Sequence, residues 1–268
     1  MRMPRLGLGT WHMGEGPRHR DAEAGALRLG LDLGMLLVDT AEMYGDGGAE
    51  EVVAQAIRGR RDEVFLVSKF YPHHASRRKL HAACDASLAR LQVERLDCYL
   101  YHWRGSVPLA ETVGALGELA DAGKIASWGV SNFDVSDLEE LVAIPGGERV
   151  AANQVLYNLA RRGIEFDLLP WCAARSIDVM AYSPLDEGAL LHHPALESAA
   201  ARLGVSAAQL ALAWVLRDPN VAAIPKAARP EHVRANRAAG DLVLDAATLA
   251  TLDRAFPPPR RKTALAMI

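Results

Sequence analysis

Cysteine is rare in this chain of 268 residues. Cys84, Cys98 and Cys172 are few, odd in number and far apart, which argues against a disulfide framework or a zinc site. Because such sparse cysteine is typical of a reducing cytosol, we expect a cytoplasmic protein. We expect Cys84 and Cys172 on helices and Cys98 in a strand, all three as packing residues.

Long apolar runs and clusters of basic residues are also missing from the sequence. No apolar run reaches the roughly 20 residues that a membrane helix needs, and the start, MRMPRLGLGTW, lacks the apolar core of a signal peptide. The net charge is −3, and no basic stripe alternates with aromatic residues. We therefore expect neither a membrane nor a nucleic acid as a partner.

Apolar residues are plentiful, at 50% of the chain, so a sizeable core can form. No break in composition and no linker divides the sequence, which predicts a single domain over residues 1–268. Since no apolar face is left over once the helices pack on the strands, we expect a monomer.

Short apolar runs alternate with amphipathic helical patterns along the chain. Eight strand–helix units favour an α/β fold of the (β/α)8 TIM barrel type over a doubly wound sheet, which usually has five or six strands. Nearly all the runs are continuous in apolar residues, as expected of strands covered on both faces. The predicted strands are Arg5–Gly9, Leu36–Asp39, Val64–Lys69, Cys98–His102, Ala126–Val130, Ala151–Gln154, Asp178–Ala181 and Ala222–Ile224.

Helical periodicity is clear between the strands. An apolar stripe at spacings of three and four residues predicts helices over Arg77–Leu91, Pro108–Ala122, Ala207–Leu216 and Pro230–Ala239. The stretch from Leu185 to Leu196 has no clear pattern, and in a barrel it would form a loop over the catalytic face. Its pair His192–His193, like His73–His74, lacks a third ligand at metal-binding spacing. We expect both pairs in solvated loops and no metal site.

Polar residues close the predicted strands, and in a barrel these ends carry the chemistry. Asp39, Lys69 and His102 close three consecutive strands. Each alone is ordinary, as a helix cap, a lysine that reaches solvent or a core histidine, but together at one mouth they indicate a catalytic site. The other strands end in Thr10 with Trp11, Ser131 with Asn132, Gln154, Tyr182 with Ser183, and Lys226.

Tyr44, five residues beyond Asp39, supplies a proton donor for this mouth. A free tyrosine has a pKa near 10, and we expect the ammonium of Lys69 to lower it toward the range in which a general acid works. Asp39 would pair with Lys69, and His102 would orient a carbonyl. The site would then stabilise an alkoxide as a hydride arrives. No G-x-G-x-x-G occurs in the sequence, so a hydride donor is not bound by a Rossmann motif.

Eight segments in family order resemble the aldo/keto reductase family over essentially the whole chain. They are GLGTW (7–11), DTAEMYG (39–45), VSK (67–69), LDCYLYHW (96–103), GKIASWGVSNF (123–133), NQVLYN (153–158), AYSPL (181–185) and IPKAARPEHVRAN (224–236). The runs GIEFDLLPWC and PPPRRKTALAMI are most similar to short bacterial members, some of which reduce methylglyoxal and related small aldehydes.

The resemblance implies NADPH-dependent reduction of aldehydes and ketones, small or reactive carbonyls such as 2-oxoaldehydes, to alcohols on a TIM barrel. Asp39, Tyr44, Lys69 and His102 correspond to the family's catalytic four, with Tyr44 as the acid. The implied substrate-binding residues are Trp11, Tyr44, His102 and Trp103. The implied cofactor-binding residues are Thr10, Trp11, Asp39, Ser131, Asn132, Gln154, Tyr182, Ser183, Pro184, Leu185, Lys226, Ala227, His232 and Asn236.

The phosphate-binding segment departs from the family pattern. Ala227 replaces a frequent serine, and His232 replaces a frequent arginine, which binds phosphate better than histidine does at neutral pH. Arg229 and Arg234 are close enough in sequence to compensate. We expect NADPH to be preferred, with a smaller margin over NADH than usual.

Two alternative functions remain open at this point. An NADPH-binding redox sensor or regulatory subunit would retain the same four residues and turn over slowly, as relatives attached to potassium channels are thought to do. A barrel that uses Lys69 for Schiff-base chemistry would need a lysine with a depressed pKa. Asp39 beside it would instead raise the pKa of the lysine.

Overall fold

The computed structural model describes residues 3–16 and 18–268, and eight strands form its single sheet in the order β1 to β8. All neighbouring strands are parallel, and the bridges Leu6–Ala223 and Gly9–Lys226 join β8 back to β1. The predicted TIM barrel is confirmed. The strands are Gly7–Gly9 (β1), Leu37–Asp39 (β2), Phe65–Phe70 (β3), Leu96–Tyr101 (β4), Ile125–Ser131 (β5), Ala152–Leu156 (β6), Asp178–Tyr182 (β7) and Val221–Ala223 (β8).

Helices cover the outside of the barrel. The predictions for Arg77–Leu91 and Pro230–Ala239 agree with the structure at both ends, and the other two differ by one residue at one or both ends. The helices are Arg20–Asp32 (α1), Gly48–Ile57 (α2), Arg77–Leu91 (α3), Leu109–Asp121 (α4), Val135–Val142 (α5), Leu168–Ala173 (α6), Pro194–Leu203 (α7), Ala207–Val215 (α8), Pro230–Ala239 (α9) and Ala246–Ala255 (α10). The stretch without a clear pattern contains a short 3-10 helix, Asp186–His192, and the start of α7.

The first strand begins at Gly7 rather than at Arg5 as predicted, although Leu6 bridges to Ala223 and the Ala223 N–H donates to the backbone carbonyl of Arg5 at 2.8 Å. The Arg5 guanidinium donates to the backbone carbonyls of Leu216, Asp218 and Val221, which lie at or just before the start of β8. Arg5 therefore ties the entry of β1 to the end of the barrel opposite the mouth.

The barrel axis is filled by apolar side chains from alternate strand positions, because successive side chains of a strand point to opposite faces. Met3 and Tyr182, both partly buried, pack against this inner cluster. The cluster consists of Leu37, Phe65, Val67, Cys98, Leu100, Ala152, Met180, Ala222 and Ile224. Full burial of each valine, leucine, isoleucine, phenylalanine or methionine side chain stabilises the fold by about 1.5–3 kcal/mol. The polar groups at the mouth of the barrel therefore lie directly against this packed cluster, which fixes their positions.

The three cysteines are free and buried, Cys84 on α3, Cys98 in β4 and Cys172 on α6, as predicted. Burial raises the pKa of each thiol to about 12, so none is a thiolate at neutral pH. Within the described residues, none of the helices has the length and apolarity that crossing a membrane requires.

Candidate active site

Lys69 lies at the centre of the mouth, fully buried on β3. Its ammonium donates to Asp39 Oδ2 at 2.7 Å, to the Thr40 carbonyl at 2.9 Å and to Tyr44 Oη at 2.9 Å. An ammonium has three donors, so all of them are used. A buried charge is tolerated only when it is paired and hydrogen-bonded in this way, and the three bonds fix Nζ in one position.

Asp39 connects this lysine to the rest of the rim. Its second carboxylate oxygen, Oδ1, accepts a hydrogen bond from Gln154 Nε2 at 2.7 Å, and its backbone carbonyl accepts one from Thr10 Oγ1 at 3.0 Å. Burial disfavours the Lys69 ammonium, but the Asp39 carboxylate and the Tyr44 hydroxyl outweigh it and raise the pKa of Lys69 above its usual value. The lysine is therefore a cation at neutral pH.

Tyr44 begins a 3-10 turn that follows β2 closely. Gly45 in that turn has φ +58°, and a Cβ there would lie 2.9 Å from the Met13 carbonyl oxygen, so the position requires glycine. The Tyr44 ring has an edge contact with Trp11 at 4.9 Å between centroids and another with His102 at 5.8 Å. The phenol is thus held between two rings, with its hydroxyl on Lys69.

Burial changes the pKa of Tyr44 more than the charges of Lys69 and Asp39 do. Burial raises the pKa of Tyr44, the Lys69 ammonium lowers it, and the Asp39 carboxylate raises it again, so that the result lies above the usual value. The expectation that Lys69 lowers the pKa overall is therefore wrong. A raised pKa keeps the phenol protonated at neutral pH, which is the form that a proton donor needs. Lys69 remains able to stabilise the phenolate once the proton has left.

His102 follows β4 and is buried next to the tyrosine. Burial, followed by the charge of Lys69, lowers the pKa of His102 from 6.5 to about 2, so the imidazole is neutral. Its Nδ1 atom is buried without a hydrogen-bond partner among the described residues. A buried N–H without an acceptor is rarer than an unpaired acceptor, so we assign the proton to Nε2. His102 then offers a neutral N–H donor.

Neutral polar groups at the ends of β5, β6 and β7 form one hydrogen-bonded cluster. Asn132 accepts from the Tyr182 hydroxyl at 3.0 Å, donates from Nδ2 to Ser131 Oγ at 3.1 Å, and donates from its backbone N–H to the Gln154 carbonyl at 2.8 Å. Asn132 has φ +59°, a conformation that asparagine tolerates better than most residues. Such a cluster of amides and hydroxyls fits the carboxamide of a nicotinamide ring.

Tyr182 stands at the top of the inner cluster, partly exposed at the mouth. The backbone of Ile268 also hydrogen-bonds to its hydroxyl, so the end of the chain reaches the rim. The next residue, Ser183, has φ +43°, and the chain turns there into the buried Pro184 and the half-buried Leu185. The assignment of Tyr182 to the nicotinamide ring and of Ser183–Leu185 to the pyrophosphate stays a prediction.

Positive charge collects before α9. Lys226 and Arg229 are exposed, Ala227 is buried, and the Arg229 guanidinium lies 2.6 Å from His232 Nε2. Asn236 is 5% exposed on the same helix. Exposed cations at a helix N-terminus fit an anionic phosphate, and Arg229 is beside the histidine that stands where relatives often have arginine.

Two tryptophans flank the catalytic groups. Trp11 is 39% exposed beside Tyr44, and the Trp103 ring lies 4.8 Å from that of His102. Trp103 also makes an edge contact with Tyr71 at 6.1 Å. These rings place apolar surface beside the catalytic groups, and their role in binding substrate stays a prediction. Tyr71, two residues beyond Lys69, was not predicted, although an aromatic residue so close to a strand end was a usable signal.

The histidine pairs have structural contacts rather than metal-like geometry. His74 Nδ1 lies 2.9 Å from Glu42 Oε1, and His193 caps α7 by accepting from the Ala195 backbone N–H at 3.3 Å. His73 and His192 are exposed, the latter at 89% of its side chain, so the expectation of solvated loops fits these two and is too simple for His74 and His193. Among residues 3–16 and 18–268, no three side chains of ligand type come together.

Comparison with known proteins agrees with this geometry. The aldo/keto reductase family model matches residues 5–256. The chain is 51% identical to methylglyoxal reductase YeaE of Escherichia coli, over 99% of this chain and 95% of that protein. It is 55% identical to an aldo/keto reductase from Klebsiella pneumoniae solved with NADP and acetate, with a TM-score of 0.98 over 99% of this chain and 96% of that one.

A second Klebsiella pneumoniae structure, an aldo-keto reductase in complex with NADPH, is 56% identical, with a TM-score of 0.97 over 99% of this chain and 95% of that one. Matches of this extent leave little of the chain unexplained. On the family model and these relatives together, the chain belongs to the aldo/keto reductase family.

Proposed function

We propose that the protein reduces small, reactive aldehydes and ketones to alcohols with NADPH as hydride donor, and that 2-oxoaldehydes such as methylglyoxal are among its substrates. The observation that carries this proposal is the position of Lys69 Nζ, within hydrogen-bond distance of both Asp39 and Tyr44. Family membership, the name of the Escherichia coli relative and the NADP and NADPH in the Klebsiella structures support it.

When bound, NADPH supplies the hydride. Three groups of residues would hold it, and each fits one part of the molecule in size and charge. The amides and hydroxyls of Ser131, Asn132 and Gln154 would bind the carboxamide, Tyr182 would lie under the ring and Ser183–Leu185 would follow the pyrophosphate. Lys226, Arg229 and Asn236 would bind the adenosine phosphate end.

The chain's own residues then handle the carbonyl oxygen. His102, neutral with its proton on Nε2, donates a hydrogen bond that orients the carbonyl. Tyr44 gives its proton to the oxygen as negative charge develops there, and Lys69 stabilises the phenolate that is left. Asp39 keeps Lys69 charged and in place. A positioned general acid of this kind contributes roughly 10²–10⁴-fold to the rate.

The two alternatives are less well supported. Schiff-base chemistry needs a lysine that is partly neutral, whereas Asp39 and Tyr44 raise the pKa of Lys69 and all three of its donors are engaged. A redox sensor is not favoured, because the four catalytic groups are assembled and the Escherichia coli relative is a reductase.

We also propose that the protein is a cytoplasmic monomer. Its three free cysteines are consistent with a reducing compartment. Size-exclusion chromatography with light scattering tests the oligomeric state, and a dimer mass would contradict the proposal.

The function is tested by following NADPH oxidation with methylglyoxal and a panel of aromatic aldehydes, for the wild type and Tyr44→Phe. We expect kcat to fall on the order of 10²–10⁴-fold in the variant, while NADPH binding, measured by fluorescence, is retained. Tight NADPH binding by the wild type without turnover of any aldehyde would instead support the sensor.

A further inference from the structure

Glu42 is a buried carboxylate between the catalytic residues Asp39 and Tyr44. Its side chain is 8% exposed, and only Met43 separates it from the tyrosine. None of the roles described above uses it. A buried carboxylate is costly unless it is hydrogen-bonded, so its contacts indicate what it does.

The contacts of Glu42 lie at the end of β3, at Lys69 and just beyond it. Its backbone N–H donates to the Lys69 carbonyl at 3.2 Å, and its Oε1 accepts the backbone N–H of Tyr71 at 2.6 Å. The same oxygen lies 2.9 Å from His74 Nδ1. One residue therefore holds the strand exit that carries the lysine and stands next to the loop that carries the tyrosine.

The pattern of these bonds shows how the chain leaves the sheet. The parallel ladder between β2 and β3 continues past Asp39, with Thr40 N–H donating to the Val67 carbonyl at 2.9 Å and Glu42 N–H to the Lys69 carbonyl. In a regular parallel ladder the next bond would run from the Tyr71 N–H to the backbone carbonyl of Glu42. The Glu42 side chain takes that place, so its backbone carbonyl is released from the ladder and the chain turns toward Tyr44.

The bond also reaches the substrate wall. The Tyr71 ring stacks on His73 at 4.9 Å between centroids and meets Trp103 edge-on at 6.1 Å. Trp103 in turn packs on His102. Holding the Tyr71 backbone thus constrains three neighbouring loops, those after β2, β3 and β4, which carry Tyr44, Tyr71 and Trp103.

We propose, on the basis of the function proposed above, that Glu42 is a positioning residue for the reduction. It replaces the last backbone acceptor of the β2–β3 ladder and so sets the distance between the Tyr44 hydroxyl and Lys69 Nζ. His74 orients the Glu42 carboxylate. Because misplacement of a reacting group by about 1 Å can cost on the order of 10²-fold in rate, loss of this contact acts on kcat.

The test compares Glu42→Met with Glu42→Gln. Methionine has similar length and no strong acceptor, whereas glutamine retains an oxygen at the same reach. We expect kcat with methylglyoxal to fall roughly 10- to 100-fold in Glu42→Met and to recover largely in Glu42→Gln. The Kd for NADPH should not change, because the described hydrogen bonds of Glu42 run to Lys69, Tyr71 and His74, none of which is among the residues proposed to bind it.

A matched control exists at the other end of β3. Asp97, on β4, accepts the Leu66 backbone N–H with Oδ2 at 2.8 Å and pairs with Arg61 at 2.7 Å. Like Glu42, it therefore joins one backbone N–H of the β3 segment to one basic side chain outside the strand, but away from the mouth. We expect Asp97→Leu to lower Tm about as much as Glu42→Met does, with kcat unchanged. A purely structural role for Glu42 would make the two variants behave alike.

Two further arms keep the outcome clear. If Glu42→Met does not fold, His74→Leu removes one of the two donors to the carboxylate at a partly exposed position, and we expect a smaller fall in kcat with Tm nearly unchanged. Wild type and Tyr44→Phe are run in the same assay. Collapse of Tyr44→Phe with full activity in Glu42→Met or His74→Leu overturns the role of Glu42 alone, whereas an active Tyr44→Phe overturns the proposed function.

Discussion

Gln154 donates a hydrogen bond from Nε2 to Asp39 Oδ1 at 2.7 Å, across 115 positions of sequence. Lys69 binds the other oxygen of the same carboxylate. Asp39, on β2, is therefore held by the neighbouring strand β3 and by β6, which is opposite β2 in the barrel. The residue that the family resemblance assigns to the nicotinamide also stabilises the catalytic ion pair.

Substitution of Gln154 by methionine should therefore cost stability as well as cofactor binding. The variant leaves one oxygen of a buried carboxylate without a donor, and a hydrogen bond to a charged group is worth about 1.5–3 kcal/mol. We expect the free energy of unfolding, measured with denaturant in the absence of cofactor, to fall by that amount.

The control for this prediction is Gln55→Met. Gln55 Nε2 donates to Asp21 Oδ1 at 2.8 Å, but on the surface, and we expect a change within about 0.5 kcal/mol. Equal effects of the two substitutions would show that the burial of Asp39 adds nothing to the strength of its contact with Gln154.

The unusual state of His102 predicts a pH dependence of stability. Its pKa is lowered from 6.5 to about 2 in the folded protein, so below pH 6.5 the unfolded chain binds a proton that the folded protein does not. The contribution of His102 to the free energy of unfolding is therefore fully present above the pKa of the histidine in the unfolded chain. It is lost as the pH falls toward the pKa of His102 in the folded protein. The slope approaches about 1.4 kcal/mol per pH unit for one proton.

His102→Gln removes this proton uptake and retains a side-chain N–H donor. We expect the free energy of unfolding of the wild type to decline more steeply than that of the variant between about pH 6 and pH 4. Parallel curves would show that the imidazole titrates in the folded protein as it does in the unfolded chain. The kcat of the wild type should show no step near pH 6.5, because the neutral imidazole persists there.

The apolar runs made the barrel predictable because each strand is covered on both faces. Asp39, Lys69 and His102 could be placed at one mouth for the same reason, since parallel strands present their carboxyl ends together. β1 begins at Gly7, two residues later than predicted. The hydrogen bonds from the Arg5 side chain to carbonyls near β8 could not be predicted, because those carbonyls lie far away in sequence.

Other features of the site could not be predicted from the sequence. The third acceptor of Lys69 is the backbone carbonyl of Thr40, and a carbonyl has no residue type to recognise. The direction of the Tyr44 pKa shift depends on how deeply the phenol is buried, which only packing decides. Glu42 lies inside the segment DTAEMYG. The residue type alone does not show whether the carboxylate is at the surface or accepts a backbone hydrogen bond at the end of the β2–β3 ladder.

Cofactor preference offers a test at Arg229. This guanidinium lies 2.6 Å from His232, in the region where relatives often bind the 2′-phosphate with arginine. We expect Arg229→Ala to weaken NADPH binding by about tenfold or more, as loss of a hydrogen bond to a charged group implies, and to leave NADH binding unchanged, since NADH lacks that phosphate. Fluorescence titration of both cofactors measures the two constants.

Arg234→Ala is the comparison that decides which arginine compensates for His232. Arg234 is exposed on the same helix, and unlike Arg229 it has no described contact with His232. If Arg234→Ala weakens NADPH binding more than Arg229→Ala does, the phosphate is bound further along α9. If neither substitution weakens NADPH binding more than NADH binding, Lys226 alone supplies the charge, and the difference in affinity between the two cofactors is small. His232→Arg should then widen that difference, because a guanidinium binds phosphate with two parallel hydrogen bonds.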